Sequence, residues 1–125
     1  MREPALCDLV DLLRESIVRE IAEADSLYQD GDLASAFRCL ERAHVLGQSI
    51  TADHTRVHWR MLKIGWKRRD AREVFGQIIR IIGASTKTAF GIYPKGNTGG
   101  ADVYFFKPMP IPEDLQAILD KSRSN

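Results

Sequence analysis

The 125-residue sequence predicts an all-α fold, a small antiparallel helical bundle. Apolar residues recur at intervals of three and four positions over four long segments, which is the period of an amphipathic helix. Each segment ends close to a glycine or a capping residue, so the connections are short and neighbouring helices run antiparallel. At this length we expect a single domain, residues 1–125, with the helical bundle over 1–94.

The first two helices are predicted on either side of a glycine turn. The first begins at about Pro4, which suits a first helical turn, and ends at about Asp30. Gly31 terminates it, and Asp32 is placed to cap the second helix, which stops near Gly47. The apolar stripes are Leu6, Val10, Leu13, Ile17, Ile21, Ala24 and Tyr28 in the first helix, and Leu33, Ala36, Phe37, Leu40, Ala43 and His44 in the second.

The next two helices also have capping signals. The turn at 48–52 is rich in Ser and Thr and predicts the cap of a third helix from about Thr51 to Arg69. Asp70 followed by Glu73 predicts a capping box for a fourth helix. The apolar pattern predicts one inward-facing stripe in each of these helices. The stripe of the third helix is His54, Val57, His58, Met61, Leu62 and Gly65, and that of the fourth is Val74, Phe75, Ile78, Ile81 and Ile82.

The helical signal weakens after Gly83, and residues 95–111 are predicted to form an irregular strap docked on the helices. This stretch is rich in glycine and proline, and we expect its glycines to take positive φ so that the chain can turn back over the bundle. A phosphate-binding loop is disfavoured, because the pattern of a preceding strand and a following helix is missing. The apolar run at 103–106 is expected to pin the strap, and residues 112–121 are predicted to form a short last helix.

The turn around Gly31 resembles one tetratricopeptide (TPR) unit. Small residues at Ala24, Ala36 and Ala43 would allow the two helices to approach closely. Such architectures need about three stacked repeats to bury a continuous core, and the sequence holds no second copy. We therefore expect one TPR-like hairpin inside a small bundle.

Several phrases of the sequence, taken together, resemble an uncharacterised bacterial family, a domain of unknown function. They extend over roughly residues 20–120 and are LERAHVLGQ, HTRVHWRML, KRRDAREVFGQIIRIIGASTKTAFG, GNTGGADV and PMPIP. The resemblance implies a small bacterial cytosolic protein and supplies no catalytic residue.

The composition argues against two classes of partner. The chain has 18 Lys and Arg against 17 Asp and Glu, so no net positive charge favours nucleic acid. No apolar run approaches the roughly 18–20 residues that span a bilayer, and the first residues contain no uninterrupted apolar signal segment. Cys7 and Cys39 stand far apart and form no CxxC pair. We expect a cytoplasmic protein with two reduced thiols.

All three histidines lie within fifteen positions of the sequence. His44 is about one turn from the end of the second helix and His54 about one turn into the third, so a short antiparallel connection places them side by side. His58 is one turn deeper, level with Glu41. Neutral imidazole nitrogens and one carboxylate suit zinc, iron, nickel or copper. The sequence therefore predicts a transition-metal site formed by His44, His54, His58 and Glu41.

Ordinary packing is the alternative interpretation of this cluster. A partly buried histidine usually donates to a carbonyl or carboxylate, and Glu41 could pair with His44 or with Arg38. A di-iron centre is disfavoured, since it needs two Glu-x-x-His motifs and this chain has one. The sequence also places no serine, cysteine or aspartate as a partner nucleophile, which favours a non-catalytic protein.

Two functions follow from these alternatives. The first is an accessory protein that binds one transition metal ion through the histidine cluster. The second is an interaction module without metal, in which the TPR-like hairpin and two tryptophans, Trp59 and Trp66, bind a protein partner or a second copy of the chain.

Overall fold

Five helices follow one another in the computed structural model, which describes residues 6–87, 95–103 and 107–123, with side chains from 11 to 83 in the first range. They are α1 (Leu6–Asp30), α2 (Leu33–Gly47), α3 (Thr51–Lys67), α4 (Ala71–Lys87) and α5 (Glu113–Arg123). These ranges contain no strand, and the all-α prediction is confirmed. The predicted start of α1 at Pro4 and the aromatic residues 104–106 lie outside the described residues, as do the side chains of Leu6 and Val10.

The first four helices pack in sequence order, and α5 returns to α1 and α2. Ala24, Ala36 and Ala43 are almost completely buried, so α1 and α2 approach closely, as their small residues predicted. The TPR-like character of this hairpin stays a prediction. The rest of the core is aliphatic apart from one aromatic ring and one thioether: Leu13, Ile17, Ile21, Phe37, Leu40, Val45, Leu46, Val57, Met61, Ile64, Leu115 and Leu119.

The turn between α1 and α2 and the start of α4 match their sequence signals. Gly31 has a φ of 86°, which ends α1, and the Asp32 carboxylate accepts a hydrogen bond from the Ser35 amide at 3.1 Å. The Asp70 carboxylate accepts from the Glu73 amide at 3.1 Å. The start of α3 differs from the prediction of a Ser or Thr cap. Its cap residue is Ile50, whose hydrocarbon side chain has no acceptor for a cap hydrogen bond and packs against the core instead.

Helix α4 turns its apolar stripe outward, so the prediction that this stripe faces inward is wrong. Phe75 and Ile82 are 67% and 65% exposed, and Ile78 is also exposed. The buried face of α4 carries Glu73 and Gln77 instead. Buried polar groups are stable only with hydrogen-bond partners, and these two have partners on α3 and in the loop after α4. The polar network therefore fixes the rotation of α4, against its apolar pattern.

Residues 95–103, called the site loop below, lie against α2 and α4. The Gly96 amide donates to Gln48 Oε1 at 2.9 Å, and the Ala101 amide donates to the Glu73 carboxylate at 3.1 Å. Residues 107–109 run back beside the start of the loop, with the Met109 amide donating to the Lys95 carbonyl at 3.0 Å. None of the described helices is long and apolar enough to cross a membrane.

Candidate metal centre

The three histidines face one another between α2 and α3. His44 lies in the last turn of α2, and His54 and His58 are four residues apart on α3, so their rings project from one face of that helix. All three side chains are buried, with exposures of 3%, 7% and 2%. The helix positions predicted from the sequence therefore placed the three rings correctly, on the inward faces of α2 and α3 and at neighbouring turns.

The Nε2 atoms of the rings converge on one point. His44 Nε2 lies 2.8 Å from His54 Nε2 and 3.1 Å from His58 Nε2. One ligand atom from each ring lies within 4.8 Å of the others. Among the described side chains, the three histidines are the potential metal ligands that lie within this distance of one another.

The site loop fixes the tautomer of His44. Its Nδ1 lies 2.5 Å from the Asn97 carbonyl oxygen. A carbonyl oxygen only accepts, so Nδ1 carries the proton and Nε2 presents a lone pair. Asn97 is itself held, because its side-chain oxygen accepts from the Gly99 amide at 2.9 Å and its side-chain nitrogen donates to the Lys107 carbonyl at 2.8 Å.

Helix α4 fixes the tautomer of His58. Its Nδ1 lies 2.6 Å from Gln77 Oε1. The orientation of the Gln77 amide is set by its nitrogen, which donates to Glu73 Oε1 at 2.6 Å and to the Gly99 carbonyl at 2.9 Å. Gln77 Oε1 therefore accepts the Nδ1 proton of His58, and Nε2 of His58 also presents a lone pair.

The lone pairs of His44 and His58 consequently point at each other across 3.1 Å. Two acceptors at this separation repel unless a cation or a donor N–H lies between them, and a neutral His54 that carries its proton on Nε2 could donate to His44 Nε2 at 2.8 Å. Protonation of a ring near neutral pH does not supply that cation. Burial lowers the pKa of His58 to about 3 and that of His54 to about 4. Burial, followed by the charges of His58 and His54, holds the pKa of His44 well below its ordinary value.

Gly99 allows the site loop to approach the His44 ring closely. A Cβ atom at this position would come within 2.6 Å of His44 Cδ2 and 2.8 Å of His44 Nε2. The φ of Gly99 is also positive, at 85°. The loop backbone therefore covers the Nε2 edge of His44 in a way that only glycine permits without strain.

Glu41 lies outside the group of side chains that converge. It is half-buried on α2, and its pKa is raised by burial and by the nearby charges of Asp102 and Glu73. Its role as a fourth ligand stays a prediction.

The comparisons with known proteins give a family but no function. The chain matches the model of one family over residues 11–119, under the description "Protein of unknown function (DUF3703)". The chain belongs to this family. The uncharacterised family expected from the sequence phrases is thereby confirmed. No curated protein and no solved structure matches the chain.

Sequence reasoning missed the residues that hold the rings. Gln77 and Glu73 lie on the polar face of α4, which the apolar stripe predicted to be exposed. Asn97 lies in a segment whose glycines indicated only a turn. The one available signal was the pair Glu73 and Gln77, four residues apart on a helix that otherwise has an apolar face.

Proposed function

We propose that this protein binds one transition metal ion through the Nε2 atoms of His44, His54 and His58. The observation that supports it most strongly is the pair of facing lone pairs on His44 and His58, 3.1 Å apart in a buried site. A metal ion at the centre would accept both lone pairs, together with that of His54. Hydrogen bonds from the other ring nitrogen to protein acceptors are typical of histidines that bind metals.

The distances between the nitrogens fit a small metal ion. A tetrahedral ion with bonds of about 2.0–2.1 Å places its nitrogen ligands about 3.3–3.4 Å apart. The two observed separations, 2.8 Å and 3.1 Å, need only a slight opening of the cluster to reach this value. An all-nitrogen set suits zinc, iron, nickel or copper, whereas calcium and magnesium require oxygen ligands.

The burial of the cluster supports an accessory role without catalysis. The site loop lies on the Nε2 edge of His44, and each imidazole is at most 7% exposed. A substrate would have little access to an ion at this position. We place Glu41 as an assisting carboxylate, one helical turn before His44, and we place the protein in the bacterial cytoplasm.

Equilibrium loading tests this proposal. The chain is stripped with a chelator, dialysed against zinc, iron, nickel or copper, and analysed for metal content. We expect about one ion per chain for at least one of these metals, and a higher melting temperature in its presence because the ion binds the native state. His54→Ala should abolish uptake. Val57→Ala, a fully buried position on the same face of α3, should lose stability and keep the metal.

A second candidate, an interaction module without metal, is supported by the surface of α3 and α4. Trp66 is 74% exposed beside Phe75, and the two line an apolar groove with Val74 and Ile78. Large exposed apolar patches mark interaction sites in soluble proteins. The solution mass of the metal-free protein tests this candidate. A dimer that Phe75→Ser dissociates would support it, and a strictly monomeric protein would count against self-association.

A further inference from the structure

We propose that the ion held by the three histidines is monovalent copper, Cu(I). This inference rests on the proposed function and names the ion that the same site takes. It is argued from the charge of the ligands, the charges around them and the number of ligands.

The ligands that converge are the three imidazoles, an electrically neutral set in which Glu41 is not a ligand. His44 and His58 donate their Nδ1 protons to amide oxygens, those of Asn97 and Gln77, and not to carboxylates. A carboxylate at this position, as in carboxylate–histidine–zinc triads, would add negative charge to the ligand. Here the two rings remain neutral imidazoles, and the ion keeps its full charge in the site.

Burial penalises a divalent ion far more than a monovalent one. The free energy of transferring an ion out of water grows with the square of its charge, so Zn²⁺ or Ni²⁺ suffers four times the penalty of Cu(I) at equal radius. The three rings are at least 93% buried, as their exposures of 3%, 7% and 2% show. A neutral and dry ligand set therefore favours the ion with the lower charge.

Among the described residues, Glu73 is a carboxylate hydrogen-bonded into this network, and Arg80 is a guanidinium whose charge acts on the rings. Glu73 accepts from Gln77, which in turn holds His58, so one negative charge lies two hydrogen bonds from the ring. Arg80, on the same helix as Glu73, acts in the opposite sense, since its positive charge disfavours a further cation among the rings. Glu73 is suited to balancing a single positive charge.

The number of ligands also suits Cu(I). Three nitrogen ligands can complete its coordination. Zinc in proteins is almost always four-coordinate, and iron or nickel takes more ligands. A Cβ atom at Gly99 would come within 2.8 Å of His44 Nε2, so the site loop closes on this part of the ring.

The test uses the full chain with both thiols removed, Cys7→Ser and Cys39→Ser, because thiolates would capture Cu(I) independently of the histidines. Under anaerobic conditions, Cu(I) is titrated in competition with bicinchoninate and Zn²⁺ in competition with a chromophoric chelator. The copper-loaded protein is then examined by X-ray absorption. We expect about one Cu(I) per chain, three nitrogen ligands and an affinity that exceeds that for Zn²⁺. His54→Ala in the same background should lose this site.

The variant Gln77→Glu tests whether Gln77 influences which metal is preferred, a property that a purely structural role of this residue would leave unchanged. It is made together with Glu73→Gln, so that an amide and not a second carboxylate lies beside the new side chain, and it then places the negative charge next to His58 Nδ1. We expect the ratio of Cu(I) to Zn²⁺ affinity to fall by about tenfold or more, the size of effect typical of residues that contact a metal ligand. Glu73→Gln alone removes a charge instead, and we expect it to shift the ratio in the opposite direction.

Three results would overturn the inference on Cu(I). They are a Zn²⁺ affinity equal to or above that for Cu(I), a four-coordinate copper with oxygen ligands, and a ratio that Gln77→Glu leaves unchanged. Each of them leaves the proposed metal site standing. Failure to bind any of the metals would overturn the proposed function as well, so the two failures are distinguishable.

Discussion

His44 Nε2 and His58 Nε2 lie 3.1 Å apart, and hydrogen bonds on the far side of each ring leave both nitrogens without a proton. Two lone pairs held face to face in a buried site repel each other unless a donor or a cation lies between them. Hydrogen bonds hold the two rings in this arrangement, since the site loop fixes His44 and α4 fixes His58. A bound cation would convert this unfavourable contact into two metal–nitrogen bonds.

The metal-free protein should lose stability on mild acidification. Histidine in an unfolded chain has a pKa of about 6.5, whereas burial lowers the pKa of His54 to about 4 and that of His58 to about 3. The unfolded state therefore binds more protons below pH 6.5, and stability present above that pH is lost as the pH falls toward 4 and 3.

Urea unfolding of the metal-free protein at pH 7.5, 6.5 and 5 measures this effect. Between pH 6.5 and 5 we expect a loss of about 2 kcal/mol for each histidine that stays neutral in the native state. His58→Gln should reduce the slope. A free energy of unfolding that is constant over this range would contradict the burial of neutral rings.

Gln77→Leu should weaken metal binding by about 10–100-fold, because His58 loses the acceptor that fixes its tautomer. Gln77 is fully buried, so the change also leaves the Glu73 carboxylate short of a donor and lowers stability. Gln116→Leu on α5 is the matched control, since its side-chain amide donates to Asp120 in an exposed pair. Competition titration of both variants measures the difference. Equal affinities would remove Gln77 from the site.

Gly99→Ala should displace the site loop from His44. The methyl group would lie 2.6 Å from His44 Cδ2, and the positive φ adds strain of about 1–2 kcal/mol for a residue with a Cβ atom. Gly31→Ala separates the two effects, because Gly31 has a φ of 86° with nothing within 4 Å. Thermal unfolding and metal titration should show loss of stability in both variants and loss of metal affinity in Gly99→Ala alone.

In contrast to Gly99→Ala, the substitution Gly83→Ala within α4 should stabilise the protein. This glycine lies in the helix, and a methyl group at its Cβ position would meet nothing within 4 Å, so alanine adds no clash. We expect a gain in stability of about 0.5–1 kcal/mol, from the lower entropy of the unfolded chain, with metal affinity unchanged. A destabilised variant would show that α4 bends or packs at this residue.

The outward face of α4 should tolerate polar substitution. Phe75→Ser removes a ring that is 67% exposed, so little apolar burial is lost within one chain. Ile64→Ala on α3 is the contrast, because a fully buried isoleucine costs about 2–5 kcal/mol when truncated. Chemical unfolding at low protein concentration measures both. A large loss for Phe75→Ser, accompanied by a concentration-dependent melting temperature, would indicate that the face is buried between copies.

The helix period was sufficient to predict the histidine cluster. The positions of His44 near the end of α2 and of His54 and His58 in the first turns of α3, joined by a short turn, placed the rings at one level. The same period failed for α4, where it assigned the apolar stripe to the core. Hydrogen bonds to buried partners outweighed apolar burial there, and such partners are not visible in a local pattern.

The hydrogen bonds that fix the rings could not be predicted for a related reason. Asn97 reaches His44 across 53 positions of sequence, through a backbone carbonyl that any residue could provide. Its geometry depends on the positive φ of Gly96 and Gly99, which sequence indicates only as turn propensity. The ligands follow from helix geometry, whereas their orientation depends on an irregular segment.

Nitrogen NMR of the histidine side chains tests the central claim most directly, since the chain has three histidines and each ring gives separate Nδ1 and Nε2 signals. At neutral pH the metal-free protein should show His44 and His58 protonated on Nδ1 and unprotonated on Nε2. Addition of one equivalent of metal should shift the Nε2 signals of all three rings together. A proton on Nε2 of His44 or His58, or Nε2 signals that no metal moves, would contradict the account.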